Sequence, residues 1–254
     1  MKTLIITTST KKHRKWSNSS YIAQIVSLGI GGEKEKIHLE KKNYEKICEM
    51  CAQADNVVLA MPVYVDGIPA HVAEFLEYAQ GRASSWKCRI YAVSNCGFFQ
   101  GQQCRLLLNQ LSCFCDRAGL TYGGGLGTGA GEMIGTLRIT NVVFAPVIAA
   151  AVALIVALAS GSIHSGLVSG GITLGISVAL YLIWSSGVLF KGIGFGKKVS
   201  RGEVSEDIFT TVWFCGWPLF EFFACIFWVV RAAWNKVPLW KMKRRVEIGE
   251  ITKK

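Results

Sequence analysis

Three short segments concentrate the side chains able to handle an anion or a polar ring. The first, Ser9-Thr10-Lys11-Lys12-His13-Arg14-Lys15-Trp16-Ser17-Asn18-Ser19, mixes hydroxyls with cations and runs into a helix start. Free amides and the dipole at a helix N-terminus favour an anion, and hydroxyls complete its shell, so Ser9, Ser17, Asn18 and Ser19 offer phosphate binding. A basic surface loop with an ordinary helix cap gives the same pattern. The second segment, Met61-Pro62-Val63-Tyr64-Val65-Asp66-Gly67-Ile68-Pro69, places Pro62, Val63 and Tyr64 just past an apolar run. The third, Ser94-Asn95-Cys96-Gly97-Phe98-Phe99, supplies an amide, a thiol and a glycine. Metal chemistry is not indicated. Cys48 and Cys51 belong to the helical pattern Tyr44, Ile47, Cys48, Cys51 and have no second pair at zinc spacing, while the 4 histidines are scattered.

The elements that must position these segments alternate. Residues 2–8 read as a buried β-branched strand, and a helix starts near Asn18 behind Ser17. A weak strand over 36–40, a helix over 43–53 and a strong strand over 56–61, stopped by Pro62, come next. A helix over 69–80, a strand over 88–94, a helix over 102–118 and a last strand from Leu120 complete the run. Such alternation predicts an α/β domain, a doubly wound five-stranded parallel sheet covered on both faces. In an open parallel sheet, ligands bind beyond the carboxyl ends of the strands, where strand order reverses. The three segments follow strands one, three and four. Residues 1–131 are expected to fold alone, but the usual final helix of such a fold is not evident after strand five, which leaves one sheet face open to cover by a partner subunit or by the membrane segment.

Together the three loops resemble the flavin-binding loops of the flavodoxin-like superfamily, in particular the NADPH-dependent FMN reductases and the related multimeric quinone-reducing proteins. The resemblance covers about residues 1–130 and is most specific over Ala54–Tyr64 with Pro69, Phe75 and Leu76. It implies that FMN is held by its phosphate at Ser9, Ser17, Asn18 and Ser19. The ring would border Pro62, Val63 and Tyr64, and its edge would meet Asn95, Cys96 and Gly97. NAD(P)H is the implied electron donor, and a quinone or another flavin the acceptor. The flavin then supplies the chemistry and the protein supplies position and polarity, with no general base. The alternatives are a flavodoxin-like electron carrier without nicotinamide turnover, or a non-catalytic membrane binding module. The first loop departs from the family pattern, reading Thr8-Ser9-Thr10-Lys11 where relatives have Gly-Ser-Pro-Arg. The cysteine cluster of iron–sulfur relatives is not reproduced by Cys48 and Cys51, so no cluster is expected.

The second half has a different composition. From Ile139 to Phe190 no Asp, Glu, Lys or Arg occurs, and more than about 18 such residues mark a bilayer-spanning helix. Glycine-rich Tyr122 to Gly135 reads as the end of a flavodoxin-like FMN-binding domain, 1–131. The remainder, 132–254, reads as a membrane region with spans at about 142–160 and 167–190, joined by the turn Gly161–Ser165. Arg138 on one flank and Lys191, Lys197, Lys198 and Arg201 on the other put both outer ends in the cytoplasm. The expected location is the cell membrane, multi-pass, with the α/β domain cytoplasmic. A third hydrophobic segment, about 208–230, contains Pro218 and Glu221 and reads as re-entrant or interfacial, with a third span as the alternative, leading to a basic cytoplasmic tail. Gly166-x-x-x-Gly170 and Gly171-x-x-x-Gly175 suit close helix packing, either between the spans or in a homo-oligomer. The net charge of +11 divides fairly evenly between the halves, which favours membrane lipids over nucleic acid as a partner. Met1–Thr8 is too short for a signal-peptide core, so the 9 cysteines are expected to be reduced.

Overall fold

The computed structural model of the 254-residue chain describes residues 1–10, 17–65 and 67–212, with 226, 229, 230 and 233 of the C-terminal segment. The basic stretch 11–16, Asp66, most of the expected re-entrant segment and the basic tail lie outside the described residues.

The α/β half alternates as expected. Strands β1 (Lys2–Thr7), β2 (Glu33–His38), β3 (Asn56–Pro62), β4 (Arg89–Asn95) and β5 (Thr121–Thr128) are interleaved with helices α1 (Asn18–Gly29), α2 (Tyr44–Gln53), α3 (Ala70–Gln80) and α4 (Arg105–Ala118). All pair in parallel in the order β2-β1-β3-β4-β5, the flavodoxin-like doubly wound order. Strands β1, β3 and β4 are buried on both faces, which is why they read as unbroken apolar runs. β2 is an exposed edge strand of alternating Glu and Lys starting at Glu33, earlier than the expected 36–40. Its charges hid its period while protecting the edge from further pairing. The main core lies between the sheet and α2, α3 and α4, where Leu4, Ile6, Ile47, Cys51, Leu59, Phe75, Leu107 and Leu111 pack together. Cys48 and Cys51 are thus core side chains, both thiols pushed up by burial.

The last strand, expected from Leu120, is β5, and the glycine run read as the end of the domain forms its interior. A Cβ at Gly123 would stand 2.3 Å from the Tyr91 ring, one at Gly125 2.7 Å from Leu108, and Gly124 has φ +108°. Close packing requires these glycines, and the register shift beside Ile90 and Tyr91 follows from them.

Beyond β5 the chain makes one long excursion and returns. Helix α5 (Gly131–Ile139), a π-helical turn (Thr140–Phe144) and α6 (Ala145–Ser160) run on as one 30-residue helix. The π-turn sits just ahead of Pro146, whose ring and missing amide disturb the regular ladder. After Gly161, α7 (Ile163–Arg201) runs for 39 residues. Both helices are long and apolar enough to cross a membrane, and only 11% of the most apolar window of each is buried. Gly166 and Gly170 press on α6: a Cβ there would lie 2.4 Å from Ala153 O and 2.9 Å from Ala149 O, whereas Gly171 and Gly175 meet nothing within 4 Å. The first small-residue pair therefore builds the hairpin.

The far half of α7 is the missing final helix. Ser185, Val188, Gly192, Phe195, Gly196 and Val199 are buried, so the stretch expected to span as far as 190 divides, its end belonging to the α/β unit. A Cβ at Gly196 would fall 2.0 Å from Val26 O and one at Gly192 2.7 Å from Ile25 Cγ2. These glycines let α7 lie against α1, while Phe195 meets the Tyr91 ring edge-on at 6.1 Å. Asn56 Nδ2 donates to Val199 O at 2.8 Å. The chain then adds β6 (Ile208–Thr210), parallel to β5. The sheet has six strands rather than five, and residues 208–210, expected in a re-entrant segment, are a strand. Three residues are too few to show a period. The compact unit runs from Met1 to Val212, and Trp213–Lys254 forms a second unit.

Candidate functional site

Strand order reverses between β1 and β3, because β1 leads outward to β2 and the chain returns to the other side for β3. The crevice at this point, beyond the carboxyl ends of β1, β3 and β4, is a cavity of about 140 Å³ lined by Ser9, Ser17, Asn18, Ser19, Pro62, Val63, Tyr64, Asn95, Gly97 and Glu132. Nine of the ten residues singled out in the sequence line it. Cys96 does not.

At one end stands the N-terminus of α1. Ser17 is extended (φ −74°, ψ 133°), its carbonyl accepts from Tyr21 N at 3.0 Å, and its side chain makes no cap hydrogen bond. The Ser17 and Ser19 hydroxyls instead bond each other at 3.0 Å. The first amides of α1 are therefore left without a side-chain cap, and no acidic residue occupies that first turn. This is an anion-favouring helix end. The Asn18 amide abuts α5, since a Cβ at Gly135 would lie 2.5 Å from its Oδ1. The Thr8 backbone that leads into Ser9 is tied to its neighbours: its amide donates to Ala60 O at 3.1 Å, and its carbonyl lies 2.7 Å from His71 Nε2.

The second loop is fixed by a tight turn. Tyr64 and Gly67 exchange two backbone hydrogen bonds, at 3.2 and 3.1 Å, and Gln110 Oε1 of α4 accepts from Ile68 N at 2.9 Å. Val65 inside that turn has φ +48°, which a β-branched residue adopts only under strain. Tyr64 stands at the cavity mouth, 46% exposed, and Val65 is fully exposed.

The other end is built from the third loop and α5. Val63 N donates to Asn95 O at 2.9 Å, joining loops two and three, and Gly131 N donates to Cys96 O at 2.8 Å. A Cβ at Gly131 would strike Asn95 Nδ2 at 2.6 Å, while one at Gly97 would have only Glu132 within 4.0 Å. Asn95 Oδ1 is buried and has no hydrogen-bond partner among the described residues, an acceptor held at the cavity without a donor. Glu132, in the first turn of α5, was not picked out by the sequence reading. An acid in the first turn of a helix that follows Thr128-Gly129-Ala130 is the signal that marks it. Its carboxylate offsets the positive end of α5, so of the two helix ends at the crevice, α1 is the one that attracts an anion.

Cys96 turns away behind the loop. It is 3% exposed, and its thiol approaches the carbonyls of Phe98 (3.5 Å), Gln100 (3.6 Å) and Thr128 (3.8 Å). The Cys104 thiol, whose Sγ lies 3.9 Å from the same Thr128 carbonyl, hydrogen-bonds Cys96 and lowers it below the ordinary thiol range, and Cys104 is pushed up by that pairing and by burial. Cys96 anchors the loop through its backbone, and of this loop Asn95 and Gly97 line the cavity.

No protein-family model and no curated protein matches the sequence. Among solved structures, the chain is similar to the Trp repressor binding protein from Bacillus subtilis, at 15% identity and a TM-score of 0.41, over 50% of this chain and 86% of that one. It is similar to an NADPH-quinone reductase from P. pentosaceus at 18% identity and 0.42, over 51% and 86%. A third likeness is to the NAD(P)H:quinone oxidoreductase from Methanothermobacter marburgensis, at 11% identity and 0.44, over 54% and 92%. Likenesses this distant carry no activity to the chain. Its fold class rests on its own strand order and register.

Proposed function

We propose that the chain is a membrane-tethered flavin oxidoreductase that holds FMN at the β1/β3 crevice and passes electrons from NAD(P)H to a small-molecule acceptor, a quinone or a flavin. The observation behind this reading is the convergence of Ser9, Ser17, Asn18, Ser19, Pro62, Val63, Tyr64, Asn95 and Gly97 on one cavity at the switch point. The crevice is polarised to match such a ligand. The uncapped α1 end with its hydroxyl pair takes the phosphate, and the unpartnered Asn95 Oδ1 with the Glu132 carboxylate offers acceptors to ring N–H groups at the other end. At about 140 Å³ the cavity is below the ~300–1,000 Å³ usual for small-molecule sites. It therefore encloses part of an FMN-sized ligand and leaves the rest across the exposed side of Tyr64. When bound, the flavin supplies hydride acceptance and electron transfer. The protein residues bind, orient and limit access of water.

The test is an absorbance spectrum of the detergent-purified full chain, followed by titration with FMN and assay of NAD(P)H oxidation. A yellow protein that oxidises NAD(P)H is the expected result. Flavin retention without nicotinamide turnover would reduce the role to an electron carrier, and a colourless protein that binds no FMN would refute the proposal.

A further inference from the structure

The hairpin and the crevice occupy the same edge of the sheet. Helix α1 begins at the carboxyl edge with Ser17 and ends at the amino edge, where β2 starts. Contacts from α7 follow α1 in that direction: Tyr181 hydroxyl to Tyr21 hydroxyl, Gly192 against Ile25, Gly196 against Val26, and finally Val199 O to Asn56 at the start of β3. Residues of α7 before Tyr181 therefore project beyond the carboxyl edge, away from the body of the sheet. From Ile163 to Tyr181 is 18 residues, or about 27 Å at 1.5 Å per residue, close to the ~30 Å of a hydrocarbon core.

A polar and aromatic belt lies at this point along α7. Arg138 stacks over the Tyr21 ring at 4.6 Å, Tyr21 bonds Tyr181, and Trp184 follows one turn later. Tyrosine, tryptophan and arginine at one level are the residues of a headgroup zone. The crevice lies almost at that level. Asn18 precedes Tyr21 by three residues, about 5 Å along α1, and Glu132 precedes Arg138 by six, about 9 Å along α5.

The rim is apolar independently of the hairpin. Val65 is fully exposed, Phe98 is 65% exposed and Leu106 56%. Each sits at the carboxyl edge, after β3, after β4 and in the first turn of α4. Met1, Leu28 and Val204 are also exposed, but they lie at the opposite edge, away from the crevice. An acceptor arriving from water needs no such rim.

Resting on the membrane-tethered flavin reading, we infer that the crevice opens onto the bilayer at headgroup depth and that its acceptor is a lipid-resident quinone. Among acceptors of an electron pair, quinones join a planar polar ring to a chain that partitions into hydrocarbon. The overall step balances as NAD(P)H + H⁺ + quinone giving NAD(P)⁺ + quinol. One nicotinamide C–H bond breaks, and its electron pair and proton, with one proton from water, end in the two O–H bonds of the quinol. Val65, Phe98 and Leu106 seat the rim in the headgroup layer and shorten the path for a ring that never leaves the lipid.

The test places an environment-sensitive fluorophore on Val65→Cys in a chain carrying Cys113→Ser, Cys215→Ser and Cys225→Ser, with the full chain in phosphatidylcholine nanodiscs. Phe98→Cys in the same background is a second site, and Leu28→Cys reports the opposite edge. A nitroxide on the lipid headgroup is expected to quench at least half the emission at 65 and 98 and little at 28, with aqueous iodide giving the reverse. In the same discs, a long-chain quinone should be reduced with a kcat/KM at least tenfold above that of a water-soluble quinone bearing the same ring. Val65→Asp with Phe98→Asp should abolish that preference while leaving the FMN content unchanged. Quenching at 65 and 98 by iodide and not by lipid nitroxide overturns the inference, as does equal use of the two quinones. In either case bound FMN and NAD(P)H oxidation leave the flavin reading intact, whereas a colourless, inactive chain removes both.

Discussion

Replacing Ser17 and Ser19 together by alanine separates an anion site from a helix start. In the protein the two hydroxyls bond each other at 3.0 Å and neither caps α1. Removing both deletes a neutral pair without stranding a buried partner, a change that is nearly neutral for folding. The ~1 kcal/mol lost with a true N-cap is not at stake, because that bond is not made. A phosphate at this helix end would lose hydrogen bonds to a charged group, at about 1.5–3 kcal/mol each. With about 1.4 kcal/mol per factor of ten, FMN affinity should fall by roughly 10- to 100-fold if one hydroxyl reaches the phosphate and by more than about 100-fold if both do. Isothermal titration of the double variant with FMN, paired with its thermal melt, reads both quantities. A lowered melting temperature with unchanged FMN affinity would refute the reasoning and leave this loop a helix start.

Other outcomes follow from the packing. Gly196→Ala puts a methyl 2.0 Å from Val26 O and is expected to cost about 1–3 kcal/mol as α7 lifts from α1, read by denaturant titration in detergent. Gly166→Leu should destabilise the hairpin, whereas Gly171→Leu, with nothing within 4 Å, should not; melting curves of the two in lipid discs test the contrast. A fragment ending at residue 131 should expose the sheet face around Tyr91 that Phe195 covers, bind hydrophobic dyes and resist dye binding only when residues 185–212 are restored. Tyr64→Ala should change the fluorescence of bound flavin, since its half-exposed ring stands at the crevice mouth.

The buried strands were legible because burial on both faces leaves an unbroken β-branched run, as in Leu4-Ile5-Ile6 and Val57-Val58-Leu59. Loops two and three were legible because Pro62 and Asn95 each end a strand. Three features were not. β5 was expected to start at Leu120, but its extent was hidden, because the glycines that leave room for Tyr91 and Leu108 read as the end of a domain. The final helix was hidden because it continues the expected span without a break, and its own stretch, with Gly192, Gly194, Gly196 and the cations Lys191, Lys197, Lys198 and Arg201, reads as the flank of that span. Cys96 shares a loop with Asn95 and Gly97, but its orientation depends on Thr128 and Cys104, which lie distant in sequence.

If the hairpin spans a bilayer as proposed, the continuous helices on both of its sides tie synthesis of the protein to its insertion. Strands β1 to β5 leave the ribosome before the apolar hairpin, but the helix that covers the α1 side of the sheet, and β6 beyond it, leave afterwards. On the membrane-tethered reading proposed above, the nascent chain waits with one sheet face incompletely covered until Gly131–Ser160 and the first half of α7 have found lipid. Only then do Phe195 and Val199 arrive to close the unit. A chain whose hairpin fails to insert keeps that incompletely covered face and those apolar helices exposed together, the kind of surface that chaperones and quality-control proteases act on.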